Sequence, residues 1–334
     1  MLSCWKRVRL LTAVTAIAAS SASIATAGER IRVEITSSAD NTQQPCYVIT
    51  PTGYSADDST RPLLVALHTW SGGVEQRNRP LEAEADRRGW IYLFPHFRGP
   101  NQHPDACGSR KAQQDILDAV AWARQEYRVD DSRIYLSGVS GGGHMTLLMV
   151  GRHPDLWAAA SAWVGISDLS AWHEKHAKSN YGAMLRRSCG GAPGKSPAVD
   201  GEYRARSPNS FLTKAADVPV DIAAGVHDGH TGSVPIRHSL EAFNKLAAAR
   251  RAPIIRENEI VQLSRRNGRL ETRTASDIQV DPAFGREIHL RRHAGASRVT
   301  IFEGGHEMIA GAAAKWLSQH RKVAATQQSG APRK

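Results

Sequence analysis

Apolar and polar positions alternate between two periods along the chain. "RIRVEIT" (30–36) switches between polar and apolar at every residue and, with the short strand-like "CYVIT" (46–50), predicts two opening strands. "PLLVALH" (62–68) is a continuous apolar run of strand length, the pattern of a strand covered on both faces. A helix-like "PLEAEADRRG" (80–89) follows, then a second buried strand, "WIYLFP" (90–95). Ser109 stands where a cap is needed for "KAQQDILDAVAWARQEY" (111–127), in which Ile116, Ala119, Val120 and Ala123 keep helical spacing. The same exchange continues with strand "RIYLSG" (133–138), helix "GGHMTLLMVGRH" (142–153) and strand "WAAASAWVG" (157–165). It ends with strand "VPVDIAAG" (218–225), helix "SLEAFNKLAAARR" (239–251), strand "RVTIFEG" (298–304) and helix "MIAGAAAKWLSQH" (308–320).

Strand and helix in turn from residue 62 onward imply an α/β fold: a mainly parallel, doubly wound sheet with helices on both faces. Two stretches interrupt the rhythm. Residues 169–215, with "GGAPGKSP" at their centre, read as a loop-rich insertion over one end of the sheet. Residues 254–297 read as a second insertion with a hairpin around Asn267-Gly268. No internal repeat is found, so one domain over 28–320 with two insertions is expected, followed by a polar, frayed tail at 321–334.

The first 27 residues have a different character. Lys6, Arg7 and Arg9 precede the apolar run "LLTAVTAIAA", and Ala25-Thr26-Ala27 is a small-x-small cleavage site. This is the pattern of a secretory signal peptide, and its apolar run is too short for a good membrane anchor. A secreted or periplasmic protein without a stable membrane span is expected. Loss of the segment lowers the formal charge from +11 to +8. That balance suits an anionic polymer or simply a solvated basic surface, and no nucleic-acid module accompanies it. The remaining cysteines are Cys46, Cys107 and Cys189. Cys107 and Cys189 both stand in glycine-flanked loops ("DACGSR", "RSCGGAPG"), whereas Cys46 is in a strand. In an oxidising compartment the expected pair is Cys107 with Cys189, and three buried free thiols are the alternative.

One stretch asks for a chemical explanation. In "YLSGVSGGGHMTLLM" (135–149) a buried strand passes a serine ringed by glycines and becomes a helix without a gap. A nucleophile at a strand's end must turn sharply to expose its hydroxyl, and the turn crowds its neighbours, so small residues are needed two before and two after. Gly138-Val139-Ser140-Gly141-Gly142 meets that need and makes Ser140 the candidate nucleophile. The N–H of Gly141, at the helix start, is a candidate donor to an oxyanion. Serine needs a base, and the base an orienting acid. His306, just past the last strand on a Gly-Gly turn, is the candidate base; His68 and His144 are accounted for by packing. Asp228, after the penultimate strand, is the candidate acid, with Asp168 in "GISDL" as the alternative. His227-x-x-His230 lacks a third ligand, and neither a metal nor an organic cofactor is called for.

The order Ser140, Asp228, His306, the elbow and the terminal Gly-Gly-His together resemble the α/β-hydrolase superfamily. Within it, the chain is similar to prolyl-oligopeptidase-like catalytic domains and to exported carbohydrate esterases of the acetylxylan and feruloyl type. Two departures stand out. Family members often carry His-Gly-Gly after the third strand, where this chain has His68-Thr69-Trp70-Ser71-Gly72-Gly73; the second oxyanion donor is then expected to be Trp70 N–H, with Thr69 as the alternative. The usual acid loop would place its aspartate near Thr231, ahead of Val234-Pro235, so the loop must bend differently to deliver Asp228.

The resemblance implies acyl transfer through an acyl-enzyme. The export signal, and Trp70, Trp163 and Trp172 just after strands, where aromatic faces could stack on sugar rings, point to an ester on a polymer such as a polysaccharide, or on a small molecule. A serine peptidase, a polyhydroxyalkanoate depolymerase and a binding protein on an inactive hydrolase scaffold are the other readings. Against a propeller-bearing peptidase, only about 35 residues separate the signal from the first buried strand. Against an inactive scaffold, all three catalytic candidates are in place.

Overall fold

The computed structural model describes residues 28–322 apart from Asp58 and Gln279. The expected signal segment and the tail from 323 lie outside the described residues. Strands β1 (Arg30–Thr36), β2 (Gln43–Ile49), β3 (Arg61–Leu67), β4 (Ile91–Pro95), β5 (Val129–Val139), β6 (Ala159–Trp163), β7 (Val220–Gly225), β8 (Ile288–Ala294) and β9 (Ser297–Phe302) form one sheet in the order β1-β2-β4-β3-β5-β6-β7-β9-β8. From β4 to β9 every neighbouring pair is parallel; β1, β2 and β8 are added antiparallel at the two edges.

The continuous apolar run in β3 is explained by its two covered faces. Leu63, Val65 and Leu67 point into the core under helices α2 (Arg110–Glu126), α3 (Gly141–Arg152) and α7 (Arg237–Ala249). Leu64 and Ala66 point the other way, towards α1 (Arg79–Arg87) and α9 (Ala310–Leu317). Side chains that alternate across a strand between two helical layers leave no position for a polar residue. Ser109 caps α2 as expected, its hydroxyl accepting from Ala112 N–H at 3.1 Å. Among the described residues no helix is long and apolar enough to cross a membrane.

Both insertions differ from their expectations. Residues 169–215 are not loop-rich: they build α4 (Leu169–His176), α5 (Asn180–Cys189) and α6 (Pro197–Arg206). These short helices share a small core with Trp70, made of Leu169, Trp172, Leu185 and Tyr203. Glycines and prolines sit between the helices, which is why the stretch reads as loop. No hairpin forms around Asn267-Gly268. "ENEIVQL" is helix α8 (Glu257–Leu263), and the antiparallel partner of β9 is β8, turned by Gly295 at φ +58°.

The sheet order reverses at β3, whose neighbours are β4 on one side and β5 on the other. The crevice beyond the strand ends at such a reversal is where α/β sheets hold ligands. The loops after β3, β5, β7 and β9 carry Trp70, Ser140, Asp228 and His306 respectively.

Candidate active site

Ser140 occupies the turn between β5 and α3 with φ +60° and ψ −118°, a conformation that L-residues avoid. It is held there by its N–H, which donates to Trp163 O at 2.8 Å, and by its carbonyl, which accepts from His144 N–H at 2.8 Å. The glycines around it are required by contact. A Cβ on Gly138 would lie 2.4 Å from the Gly142 carbonyl carbon, and one on Gly142 would lie 2.4 Å from Leu67 O. A Cβ on Gly141 would lie 2.2 Å from Trp70 N, so the backbone of the loop after β3 rests directly on the start of α3.

That contact brings two N–H groups together. Gly141 is the first residue of α3, so its N–H has no helical acceptor. Trp70 N–H meets no acceptor among the described residues, whereas Thr69 N–H donates to Gln76 Oε1 at 3.0 Å. Of the two donors anticipated in this loop, Trp70 is therefore the open one. Gln76 also accepts from the Thr69 hydroxyl at 3.0 Å, which fixes the loop from below.

His306 follows β9. Its Nδ1–H donates to Asp228 Oδ2 at 2.8 Å. Asp228 is buried, and its other oxygen accepts from Gly229 N–H at 2.9 Å and Val234 N–H at 3.1 Å. The tight turn after β7 achieves this by folding residues 229–234 back over the carboxylate. Thr231, at the position where the resemblance looked for an acid, is exposed, and its hydroxyl donates to His227 O. Asp168 does something else: it caps α4, accepting from Ser170 and Ala171 N–H at 2.8 and 3.1 Å.

The other histidines are structural. Burial lowers His68 to about 3 and His144 to about 4. Nδ1–H of His68 donates to Thr69 O, and Nε2–H of His144 to Arg206 O. His227 and His230 do not converge: one meets Glu303 Oε1 at 2.6 Å, and the other meets Ser264 O at 3.0 Å.

Ser140 and His306 line one cleft of about 430 Å³ with Thr69, Trp70, Gln76, Arg77, Asn78, Tyr181 and Met308. Expected stacking surfaces fare differently. Trp163 is fully buried against Phe284 and Phe302, with its N–H on Ser161 Oγ, and Trp172 is buried under Tyr181 with its N–H on Ser233 O. Neither offers a face to a sugar. Trp70 borders the cleft but is only 2% exposed, its ring packed on Trp172 and His144. The aromatic side chain that does line the cleft is Tyr181, on α5. Gln76, Asn78 and Tyr181 escaped the sequence reading because loop polars and a lone tyrosine in an apparent loop carry no periodic signal.

Cys107 and Cys189 are neighbours but free, buried thiols, not the expected disulfide; Cys46 is a third, apart from them in β2.

A model of the prolyl oligopeptidase family matches residues 83–258, more than half of the chain. The chain belongs to that family. Membership and fold place it among the serine hydrolases of the α/β-hydrolase type. It is 25% identical to the probable acetylxylan esterase A of Aspergillus flavus, over 36% of this chain and 41% of that one. To feruloyl esterase B of Thermothelomyces thermophilus it is 29% identical, over 40% of this chain and 48% of that one. The matches thus cover less than half the length of these relatives. Among solved structures, the acylaminoacyl peptidase of Pyrococcus horikoshii superposes with a TM-score of 0.54 at 20% identity, covering 67% of this chain and 36% of that one. That likeness is one of fold.

Proposed function

We propose that the protein is an exported serine esterase that cleaves carboxylic esters carried by carbohydrate. Ser140 is the nucleophile, His306 the base and Asp228 the residue that orients it. The observation that carries the reading is that His306, held by the buried Asp228 carboxylate, lines one cleft with a strained, glycine-packed serine. With Nδ1–H held by Asp228, His306 presents a bare Nε2 able to take the serine proton. The Ser140 oxygen then attacks the ester carbonyl, and the N–H groups of Gly141 and Trp70 receive the developing oxyanion. His306, now charged, protonates the leaving alcohol; a water activated by the same nitrogen releases the acid.

Support for a carbohydrate ester comes from the cleft's polar wall of Gln76, Arg77 and Asn78, and from relatives named as acetylxylan and feruloyl esterases. The N-terminal pattern supports export. The family's name favours a second reading, cleavage of peptide bonds. Acetate and ferulate release from acetylated and feruloylated xylan, measured beside a panel of short peptides, separates the two. Ester cleavage is expected, with turnover roughly a millionfold lower in Ser140→Ala. Peptide cleavage without ester release would transfer the protein to the peptidases, and full activity in Ser140→Ala would remove the serine mechanism.

A further inference from the structure

The acid and the base of the proposed triad stand on separate loops, one after β7 and one after β9. Backbone hydrogen bonds join the two as far as the strand ends: Val226 N–H donates to Phe302 O at 2.8 Å, and His227 N–H to Gly304 O at 3.0 Å. There the ladder stops. Asp228 N–H turns back to Gly225 O at 3.0 Å, so the chain leaves the sheet at the residue that carries the acid. Beside that point of departure stands Glu303, half-buried and three residues ahead of His306. Its Oε1 accepts from His227 Nε2–H at 2.6 Å and its Oε2 from His289 Nε2–H at 2.9 Å. Both rings donate, because an ionised carboxylate only accepts. His289 lies in β8 and is only 1% exposed, which makes it a fixed post. Arg269 Nη2 adds a third donor to Oε2 at 3.3 Å, and Glu303 N–H donates to Glu287 O at 2.8 Å.

We propose that Glu303 is a positioning residue for the reaction, its carboxylate clamping the loop of Asp228 to the loop of His306 and both to strand β8. Among the described residues no hydrogen bond joins Glu303 or His227 to His306 or Ser140, so the clamp acts through the backbone on either side of it. It holds His227 where the chain departs, and thereby fixes where the next residue, Asp228, begins. The Asp228–His306 bond of 2.8 Å depends on that placement, because a hydrogen bond weakens steeply once it bends. A misplacement of about 1 Å at a catalytic group can lower the rate roughly a hundredfold. The second insertion thereby gains a task, since it supplies both His289 and Arg269. It also holds the far side of the base: Glu307 accepts from Arg286 Nη1 and Nη2 at 2.6 and 2.9 Å, and from Gly305 N–H at 3.1 Å. The effect of the clamp on turnover rests on the proposed roles of Ser140, His306 and Asp228.

The test compares Glu303→Ala, Glu303→Gln, His227→Ala, the double alanine variant and His230→Ala in the full chain. Turnover of p-nitrophenyl acetate is expressed per serine titrated with a fluorophosphonate. Glu303→Ala is expected to lower kcat roughly tenfold to a hundredfold while KM stays within about twofold, since the cleft wall is untouched. Loss of folded protein alone would reduce the titrated serine and leave kcat per site unchanged, and that result would overturn the proposal. Glu303→Gln keeps an oxygen for one ring and offers its amide to the other ring's second tautomer, so it should recover most of the rate. His227→Ala should match Glu303→Ala, and the double variant should be no worse than either. Additive losses would mean two unrelated roles and no clamp. His230→Ala gives up a bond to Ser264 O and should turn over like the wild type. An equal fall there would show a loop sensitive to any truncation and overturn the assignment to Glu303.

Hydrogen exchange reads the clamp without turnover. Peptides spanning 226–235 should exchange about tenfold faster in Glu303→Ala than in the wild type, with β3 unchanged. Equal exchange would overturn the clamp. A wild-type chain that cleaves neither esters nor peptides, with the exchange difference present, would sink the proposed function and leave the clamp standing.

Discussion

His306 Nδ1 and Asp228 Oδ2 are 2.8 Å apart, and the second oxygen of that carboxylate is filled by two backbone N–H groups. The aspartate is thus fixed on three sides, and its one remaining task is to hold the imidazole. Asn at this position would keep the size but present an amide that favours the wrong tautomer. Asp228→Asn is therefore expected to lower kcat by roughly 10⁴-fold with little change in KM. Asp168→Asn should leave kcat alone, and Asp168→Ala should cost about 1 kcal/mol through the lost cap of α4. Steady-state kinetics and urea melts on the three variants decide the matter, and a large kcat loss in Asp168→Asn would reverse the assignment.

Gln76 is a positioning residue for the loop that presents Trp70 N–H. It bonds Thr69 twice, at 3.0 Å to N–H and 3.0 Å to the hydroxyl, and touches no reacting atom by this geometry. Gln76→Ala frees the loop and is expected to lower kcat between about tenfold and the hundredfold that follows loss of an oxyanion donor. Gln76→Glu retains an acceptor for Thr69 and should recover most of the rate. Equal activity in Gln76→Ala and wild type would remove the residue from the mechanism.

How much of this was legible in the sequence follows from which forces act locally. Ser140 was legible as a candidate because the glycines at 138, 141 and 142 pack against backbone, and glycine spacing is visible in one dimension. His306 was legible as a candidate only by its place after the last strand, since the glycines beside it meet side chains and not backbone. Asp228 was legible only as a candidate, since its delivery depends on residues 229–234 folding back, a tertiary event. The tryptophans were misplaced because position after a strand says nothing about which way a ring turns. Trp163 and Trp172 turn inward, where each finds an acceptor for its N–H. The hairpin expected at Asn267-Gly268 failed for a related reason: the turn signal was local, but the partner of β9 was set by pairing with β8.

Those inward turns separate stability from recognition. Trp172→Ala should destabilise the fold by about 3–5 kcal/mol, as removal of a fully buried ring does. Tyr181→Ala, on the cleft wall just above it, should cost far less stability. Its expected effect is a several-fold rise in KM for aryl or sugar esters at nearly constant kcat. Melting curves and Michaelis plots on both variants check the division; an unchanged KM in Tyr181→Ala would take α5 out of substrate binding.

Acid should weaken the fold before it protonates most carboxylates. His68, His144 and His238 are buried and held neutral, at about 3, 4 and 4, each because burial disfavours the charged ring. An unfolded chain protonates the same histidines near their ordinary value of about 6.5. Above that pH neither state binds the proton, and this contribution to stability is complete. Between about 6.5 and the folded values only the unfolded state takes protons up, so stability falls with pH and stops falling once the folded histidines protonate too. At pH 5 the loss is about 2 kcal/mol for each histidine. Urea midpoints should therefore be level from pH 8 to 7 and drop steadily from 6.5 to 5. His144→Gln keeps a donor for the Arg206 carbonyl while deleting one titration, and its slope below pH 6.5 should be shallower by one proton. A flat profile from pH 8 to 5 in the wild type would show that these rings reach water or a partner before unfolding, and that burial does not hold them neutral.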